Sequence, residues 1–207
     1  MRVDYGSAEF DERSVAPDWH TQFGQWLADA AGAQLPEPNA MLLATADAAG
    51  RPSARTVLLR GYGTDGFVFF TNYESRKSQE LAANPYASLV FPWFAIRRQV
   101  VVTGRVERVS RGQTEAYFAS RPRESQLGAW ASPQSRPVPD RAALDEAWRE
   151  TAQRFPEGQP VPAPPHWGGY RLAPETVEFW QGRTARMHDR LRFRRTGDGW
   201  LLERLAP

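Results

Sequence analysis

Short segments of β type, separated by tight turns, limit the fold of this chain more than any other feature. The segments AMLLATAD, ARTVLLRG and FVFFTN, at residues 40–47, 54–61 and 67–72, are rich in apolar and β-branched residues, and the turn signals AAGRP and GTDG separate them. Parallel strands need crossover connections of roughly a dozen residues or more, so these short links predict an antiparallel meander.

The rest of the chain continues this pattern. ASLVFPW and RRQVVVTGRVERV predict two more strands, GGYRLAPETVEFWQG predicts two short strands around a Pro-Glu turn, and LRFRR with WLLERL predicts a hairpin. Helices are predicted from Pro17, from Ser75 to Asn84, from Gln113 to Pro122 and over 140–155. We therefore expect a mainly β fold of about seven antiparallel strands with flanking helices, closed as a small barrel.

The chain divides into a short arm and one domain. Residues 1–16 are polar and lack apolar periodicity, which predicts a mobile N-terminal arm, and residues 17–207 are predicted to form a single domain. The Pro-rich stretch PEGQPVPAPPH prevents regular structure, but strands resume directly after it. It is therefore expected to be a loop within the domain.

Composition excludes several classes of function. The chain has no cysteine, which excludes disulfides and Cys-ligated metals, and its three histidines are too scattered to predict a metal site. Its net charge is only +2 and its acidic and basic residues are interleaved, so no nucleic-acid partner is predicted. No apolar run approaches the roughly 18 residues that a membrane helix needs, and the polar start is not that of a signal peptide. We expect a soluble, cytoplasmic protein that binds no membrane.

The segment FWQGRTARMHDR, at residues 179–190, concentrates a tryptophan, arginines and one of the three histidines. Buried cations are costly unless they are paired, so the segment is either a charged surface turn or an anion site. A second polar set lies upstream and favours the anion site; its members are Arg55, Arg60, Arg76, Lys77 and Gln99.

A helix N-terminus carries two of these upstream cations. Ser75 is the predicted N-cap, so Arg76 and Lys77 fall in the first helical turn, beside backbone N–H groups without helical partners. Cations at this position oppose the helix dipole, and the arrangement makes more sense with a bound phosphate.

A third set lies further along the chain. Tyr117 and Arg121 are four residues apart and are predicted to share a helical face, and Ser125 follows Pro122 where a new helix would be capped. A phenol, a guanidinium group and a hydroxyl that converge can hold a phosphate dianion.

With these residues laid out, the chain resembles the pyridoxine (pyridoxamine) 5′-phosphate oxidase family from about Arg2 to Pro207. The motifs that carry the resemblance are EPNAM, RTVLLRG, FFTNYESRK, RRQVVVTGRVERV, YFASRPRESQLGAWASPQS, PPHWGGYR, FWQGRTARMHDR and ERLAP. The resemblance implies an FMN-binding split β-barrel and an obligate homodimer with two FMN sites at the subunit interface. It also implies FMN-dependent oxidation of pyridoxine and pyridoxamine 5′-phosphates to pyridoxal 5′-phosphate, with O2 reduced to H2O2.

The resemblance implies a role for each residue that matches a family motif. FMN contacts are implied for Arg55, Thr56, Val57, Leu58, Leu59, Arg60, Phe70, Thr71, Arg76, Lys77, Gln99, Gln134, Ser135, Trp180 and Arg190. Substrate contacts are implied for Arg2, Tyr5, Arg60, Tyr117, Arg121, Ser125, Arg186, Met187 and His188. In this second set Arg186 and His188 are the implied catalytic residues beside the pyridine ring, and Arg2 and Tyr5 match the R-x-x-Y residues of a lid.

The chain departs from the family pattern at two places. Position 60 is Arg where many members have Lys, which keeps the charge but replaces a point donor by a planar fork. The segment before Arg2 is very short, so the lid role depends on two residues.

Three other functions are compatible with parts of the sequence. A related oxidase of the phenazine pathway would act on a bulky tricyclic compound, but a substrate without phosphate has no use for Tyr117, Arg121 and Ser125. A carrier or sensor would bind the flavin or the vitamer without turnover. A nucleic-acid module would show a salt-sensitive affinity for DNA or RNA.

Overall fold

Nine antiparallel strands and five α-helices make up the part of the chain that the structure describes, residues 9–207 of a computed structural model. The helices are α1 (Trp19–Gly32), α2 (Arg76–Ala83), α3 (Arg111–Ala119), α4 (Arg123–Ala131) and α5 (Arg141–Arg154). The strands are β1 (Ala40–Ala46), β2 (Pro52–Leu58), β3 (Gly61–Gly63), β4 (Gly66–Asn72), β5 (Tyr86–Trp93), β6 (Arg98–Arg108), β7 (Trp167–Gln181), β8 (Asp189–Thr196) and β9 (Gly199–Arg204). None of the helices within residues 9–207 is long and apolar enough to cross a membrane.

Strand β7 divides the sheet into two branches. Its N-terminal half pairs with β4, its C-terminal half pairs with β8, and β6 pairs along the opposite edge of both halves. The strand order is β2-β1-β5-β6-β7-β4-β3, so the first and last strands of the order, β2 and β3, are consecutive in the chain. Between them the Arg60 N–H donates to the Val68 carbonyl of β4 at 2.8 Å. The result is the predicted antiparallel split barrel, with nine strands in the described residues instead of about seven.

The predicted Pro-Glu turn is wrong, because β7 runs through it as one strand. The register of β6 against β7 shifts between Thr103 and Gly104, so that Glu175 is an extra residue between Pro174 and Thr176. Such a bulge tolerates a proline, which lacks the N–H of a regular ladder. Gly104 is required opposite it, since a Cβ there would lie 2.0 Å from the Ala173 carbonyl oxygen.

Helix α1 fills the barrel with aromatic side chains, as its spacing predicts. Trp19, Phe23, Trp26 and Ala30 are buried, and Asp18 caps the helix by accepting from the Thr21 N–H at 2.7 Å. Burial of each large side chain stabilises the fold by about 1.5–3 kcal/mol. A second, smaller apolar cluster surrounds Trp167, and it is the cluster that borders the site; its members are Phe118, Leu127, Val161, Ala163 and Trp167.

The described part of the predicted N-terminal arm is packed on the barrel. Phe10 is buried against Trp26 and Phe179, and its N–H donates to the Asp189 carboxylate at 3.2 Å. Phe10 is thus part of the core, and Val15 packs against it. Arg2 and Tyr5 lie outside the described residues, and their implied lid role stays a prediction.

Two helix boundaries differ from the sequence prediction. Helix α3 ends at Ala119, so Arg121 lies in the link to α4 and does not share a helical face with Tyr117. Pro122, and not Ser125, occupies the N-cap of α4. The sequence Ser-Arg-Pro, at residues 120–122, ends α3 because the residue before a proline disfavours helical backbone angles.

Candidate active site

A cleft of about 290 Å³ opens between the end of β2, strand β4, the first turn of α2 and the α3–α4 link. Every residue that lines it except Trp167 belongs to the predicted set. The lining residues are Arg55, Thr56, Val57, Leu58, Arg60, Phe70, Thr71, Lys77, Tyr117, Arg121, Gln134 and Trp167. Ser125 lies in an adjoining pocket that shares Arg121, Gln134 and Trp167 with the cleft.

One wall of the cleft is a stack of three aromatic rings that carries two guanidinium groups. The ring of Phe70 lies 4.0 Å from Tyr117 and 5.5 Å from Trp167, with all three nearly parallel. Arg121 lies over Trp167 at 4.7 Å, and Arg60 lies over Tyr117 at 5.8 Å. The tertiary structure thus brings Tyr117 and Arg121 together through Trp167, which sequence reasoning did not assign to the site.

Arg121 has a buried donor without a partner. Its Nη1 is buried and makes no hydrogen bond to any described residue. Burial lowers the pKa of Arg121, the nearby Tyr117 opposes that shift, and the positive charge of Arg60 adds to it. Because arginine nevertheless stays protonated in proteins, an uncompensated guanidinium group beside a second one defines a site for an anion.

Lys77 lies at the opposite end of the cleft, almost completely buried. Its Nζ donates to Thr71 Oγ1 at 3.1 Å, Ser75 Oγ at 3.2 Å and Gln134 Oε1 at 2.7 Å. Burial lowers the pKa of Lys77 to about 8, with a contribution from Arg55 in the same direction and an opposing one from Glu80. An anion close to this amine would favour its charged form.

Glu80 holds two of the predicted cations and was missed from the sequence. Its Oε1 accepts from Arg76 Nε at 2.8 Å, and its Oε2 accepts from Arg55 Nη2 at 3.3 Å. The spacing of Arg76 and Glu80, four residues apart on α2, is the signal that could have indicated the first pair. Arg76 does not line the cleft itself, but it shares Glu80 with Arg55, which does.

Six predicted residues form a second group, on the β6–β7–β8 part of the sheet. Gln99 is the register partner of Trp180, which is the partner of Arg190, and the rings of Trp180 and His188 lie 4.5 Å apart. Arg186 and Met187 precede His188 on the same loop. None of the six is among the described residues that line the cleft.

The loop before β8 is held in a strained conformation. Ala185 and Arg186 have φ of 53° and 63°, left-handed values that side chains other than glycine rarely adopt. The Arg183 N–H donates to His188 Nδ1 at 3.1 Å, which leaves the ring proton of a neutral His188 on Nε2. Backbone strain such as that of Ala185 and Arg186 persists only where surrounding contacts enforce it. Just after this loop, Arg190 is bound by Glu178 through two hydrogen bonds at 2.7 and 3.1 Å.

Two other predicted cofactor residues lie beside the cleft without lining it. Leu59 is buried in the main core, and Ser135, with φ of 70°, follows Gln134 in the loop after α4.

Asp189 anchors this loop to both ends of the described chain. Its carboxylate accepts from Arg183 Nη1 at 3.0 Å, from Arg204 Nη1 at 2.8 Å and from the Phe10 N–H. Arg204 also binds Glu12 through two contacts at 2.8 Å. Burial alone would raise the pKa of Asp189, but the hydrogen bonds from Arg183 and Arg204 outweigh it and lower the pKa.

Replacing Asp189 with Asn is expected to lower the free energy of unfolding by about 2 kcal/mol, because a mostly buried carboxylate with two arginine partners loses its charge. Urea unfolding at one fixed protein concentration measures the change. The control is Asp145→Asn on α5, whose partner Arg141 is largely exposed, where the expected loss is under about 0.5 kcal/mol. Equal losses in the two variants would contradict the anchoring role.

The branched barrel and the cationic, aromatic-walled cleft define a split-barrel protein with a candidate anion-binding site. Residues 27–155 match the family model described as pyridoxamine 5′-phosphate oxidase, and residues 167–207 match the one described as the pyridoxine 5′-phosphate oxidase C-terminal dimerisation region. The chain therefore belongs to the pyridoxine/pyridoxamine 5′-phosphate oxidase family. This confirms the resemblance and the fold class predicted from the sequence, and the C-terminal match supports the homodimer.

Individual relatives agree with this assignment. A pyridoxine/pyridoxamine 5′-phosphate oxidase of Salinispora arenicola is 68% identical over 95% of this chain and 89% of its own length. One from Burkholderia vietnamiensis is 51% identical over 100% of this chain and 97% of its own. Among solved structures, PhzG from Burkholderia lata in complex with tetrahydrophenazine-1-carboxylic acid superposes with a TM-score of 0.90 at 32% identity, over 98% of this chain and 100% of that one.

Proposed function

We propose that this protein is the FMN-dependent oxidase that converts pyridoxine 5′-phosphate and pyridoxamine 5′-phosphate into pyridoxal 5′-phosphate. Oxidation of the alcohol, pyridoxine 5′-phosphate, reduces O2 to H2O2. Oxidation of the amine, pyridoxamine 5′-phosphate, also reduces O2 to H2O2, and it consumes water and releases ammonia. The observation that carries the proposal is the unpartnered Nη1 of Arg121 beside Arg60 in the cleft. A phosphorylated substrate would supply the missing acceptor, and the names of the similar proteins support the vitamer as that substrate.

The residues at the other end of the cleft fit the phosphate of FMN. Lys77 is a desolvated cation in the first turn of α2, and Arg76 lies beside it with its guanidinium group held by Glu80. Helix N-termini with adjacent cations suit phosphate groups. Bound FMN would supply the redox chemistry, accepting a hydride from the 4′ carbon of the vitamer and delivering the electrons to dioxygen.

The second group of predicted residues is proposed to complete the cleft of a second copy of the chain. Trp180, Arg186, His188 and Arg190 lie within residues 167–207, the range that matches a dimerisation region, and do not line the cleft of their own chain. In a homodimer, each subunit's cleft would then receive these residues from the partner. Two FMN sites at the interface follow from the two-fold symmetry of a dimer.

The chain's own residues would have distinct tasks in this arrangement. Arg60, Tyr117, Arg121 and Ser125 would bind the substrate phosphate and so fix the position of its ring. Arg186 and His188 would contact the pyridine ring, and in a neutral His188 the ring proton would be on Nε2. The aromatic wall would exclude water from that side of the substrate.

The affinity of the flavin-free protein for FMN is expected to fall above pH 8. Lys77 has a pKa of about 8, so below this pH its amine is charged and attracts the phosphate. Above pH 8 the free amine is neutral and must take up a proton when FMN binds, which weakens the observed affinity. Kd from flavin fluorescence should be roughly tenfold weaker at pH 9 than at pH 7. Lys77→Met should bind more weakly and show a flat profile, and a flat wild-type profile would contradict the role.

The direct test is incubation of the purified protein with FMN and pyridoxine 5′-phosphate in air. Stoichiometric appearance of pyridoxal 5′-phosphate and peroxide is the expected result. Bound flavin without product would favour a carrier, or an oxidase of phenazine precursors, the second candidate that the PhzG likeness supports. Failure to bind FMN would exclude the proposal as a whole.

A further inference from the structure

Glu80 places a negative charge where the proposed function calls for positive ones. It lies on α2 one turn after Arg76, and its side chain is only 5% exposed. Burying a carboxylate is costly unless it is paired. Four side chains donate to it: Thr45, Ser53 and Arg55 to Oε2, and Arg76 to Oε1. Burial alone would raise the pKa of Glu80, but these hydrogen bonds lower it to about 2, so the carboxylate is charged at neutral pH.

The hydrogen bonds around Glu80 have a fixed direction. Thr45 Oγ1 and Ser53 Oγ each donate their single hydrogen to Glu80, and each accepts a hydrogen bond from Arg55. Arg55 Nη1 also donates to the Leu43 carbonyl at 3.2 Å. Both terminal nitrogens of Arg55 are thus used by protein acceptors, and the orientation of its guanidinium group depends on Glu80 directly and through two hydroxyls.

Arg76 is held differently. Glu80 binds its Nε, while the side chain as a whole is 63% exposed. Its outer nitrogens therefore face solvent beside the first turn of α2. Without the carboxylate between them, the guanidinium groups of Arg55 and Arg76 would repel each other, and both side chains would regain rotamer freedom that phosphate binding must remove.

We propose that Glu80 is a positioning residue for the phosphate-binding end of the cleft, holding Arg55 on the barrel and Arg76 on α2 in the arrangement that receives the cofactor phosphate. This inference rests on the proposed function. Its consequence is selective: Glu80 governs affinity for the phosphate of FMN and has no part in binding the flavin ring.

The test compares two ligands that differ by that phosphate. Full-length protein freed of flavin is titrated with FMN and with riboflavin, and Kd is read from flavin fluorescence. In Glu80→Gln the amide oxygen can replace Oε2, but the NH2 group then faces the Arg76 N–H and releases that arginine. The matched control is Glu74→Gln, where an exposed glutamate pairs with Arg136 at 2.7 Å. Glu80→Ala removes both contacts, and thermal unfolding shows whether it folds.

For Glu80→Gln, Kd for FMN is expected to rise roughly tenfold, with Kd for riboflavin within about twofold of wild type and no change for either ligand in the control. An unchanged or lower Kd for FMN would overturn the inference, because the carboxylate would then merely oppose the phosphate. A parallel rise for riboflavin would overturn it too, since that indicates a general structural role. Either result would overturn only this inference, provided that the wild-type protein binds FMN. A wild-type protein that bound neither FMN nor riboflavin would contradict both the proposed function and this inference.

Discussion

Replacing His188 or Arg186 with alanine is expected to lower kcat about 100-fold while FMN stays bound. Both side chains lie on the strained loop before β8, where Ala185 and Arg186 hold left-handed backbone angles and the Arg183 N–H orients the His188 ring. A group that contacts the reacting ring contributes to turnover and not to retention of the cofactor. Steady-state kinetics and the ratio of flavin to protein absorbance measure the two quantities separately.

The control for this pair is Arg195→Ala, which removes an exposed arginine near the end of β8. Its kcat and flavin content are expected to match those of the wild type. Loss of flavin in both the His188 and Arg186 variants would mean that these residues bind the cofactor, and the assignment to the substrate would be wrong.

Replacing Arg121 with alanine is expected to raise KM for pyridoxine 5′-phosphate by about 30- to 100-fold, because charge-assisted hydrogen bonds to the phosphate are each worth roughly 1.5–3 kcal/mol. Combining it with Tyr117→Phe should raise KM further. The effect on kcat should be small, since the phosphate binds ground state and transition state alike.

The control for these variants is a second substrate, pyridoxine without its phosphate. Non-phosphorylated pyridoxine has no group for Arg121 to bind, so wild type and variant should use it equally poorly. An unchanged KM for the phosphorylated vitamer would place the substrate phosphate elsewhere in the protein.

Much of the fold could be predicted because local periodicity records local backbone structure. The apolar face of α1, with Trp19, Phe23 and Trp26, follows helical spacing, and the tight turns that join β1 to β2 and β3 to β4 require antiparallel pairing. The predicted meander does not continue from β2 to β4, because β2 ends the strand order and β4 pairs with β3 and β7. The prediction of two strands around Pro174 was wrong because a proline marks a turn in most contexts. Only the pairing of β6 with β7 shows that a bulge opposite Gly104 accommodates it.

The candidate site could be predicted residue by residue but not as an arrangement. The sequence contained the arginines, Lys77 and Gln134, and the family motifs marked them. It did not show that Trp167 joins Tyr117 to Arg121, since the two contacts span the Pro-rich loop between α5 and β7. Nor did it show that Gln99, Trp180 and His188 lie on a part of the sheet away from the cleft lining.

By itself, the sequence determined the strand and helix types, the absence of thiol chemistry and the family to which the chain belongs, because each of these depends on residue type and short-range spacing. The tertiary structure alone decided which charges from distant segments are paired. Glu80 joins Arg55 to Arg76 across two elements, and Asp189 joins residue 10 to Arg183 and Arg204. Whether a cation is available for an anion depends on such long-range contacts, and these form only when the packed barrel brings distant segments within hydrogen-bonding distance.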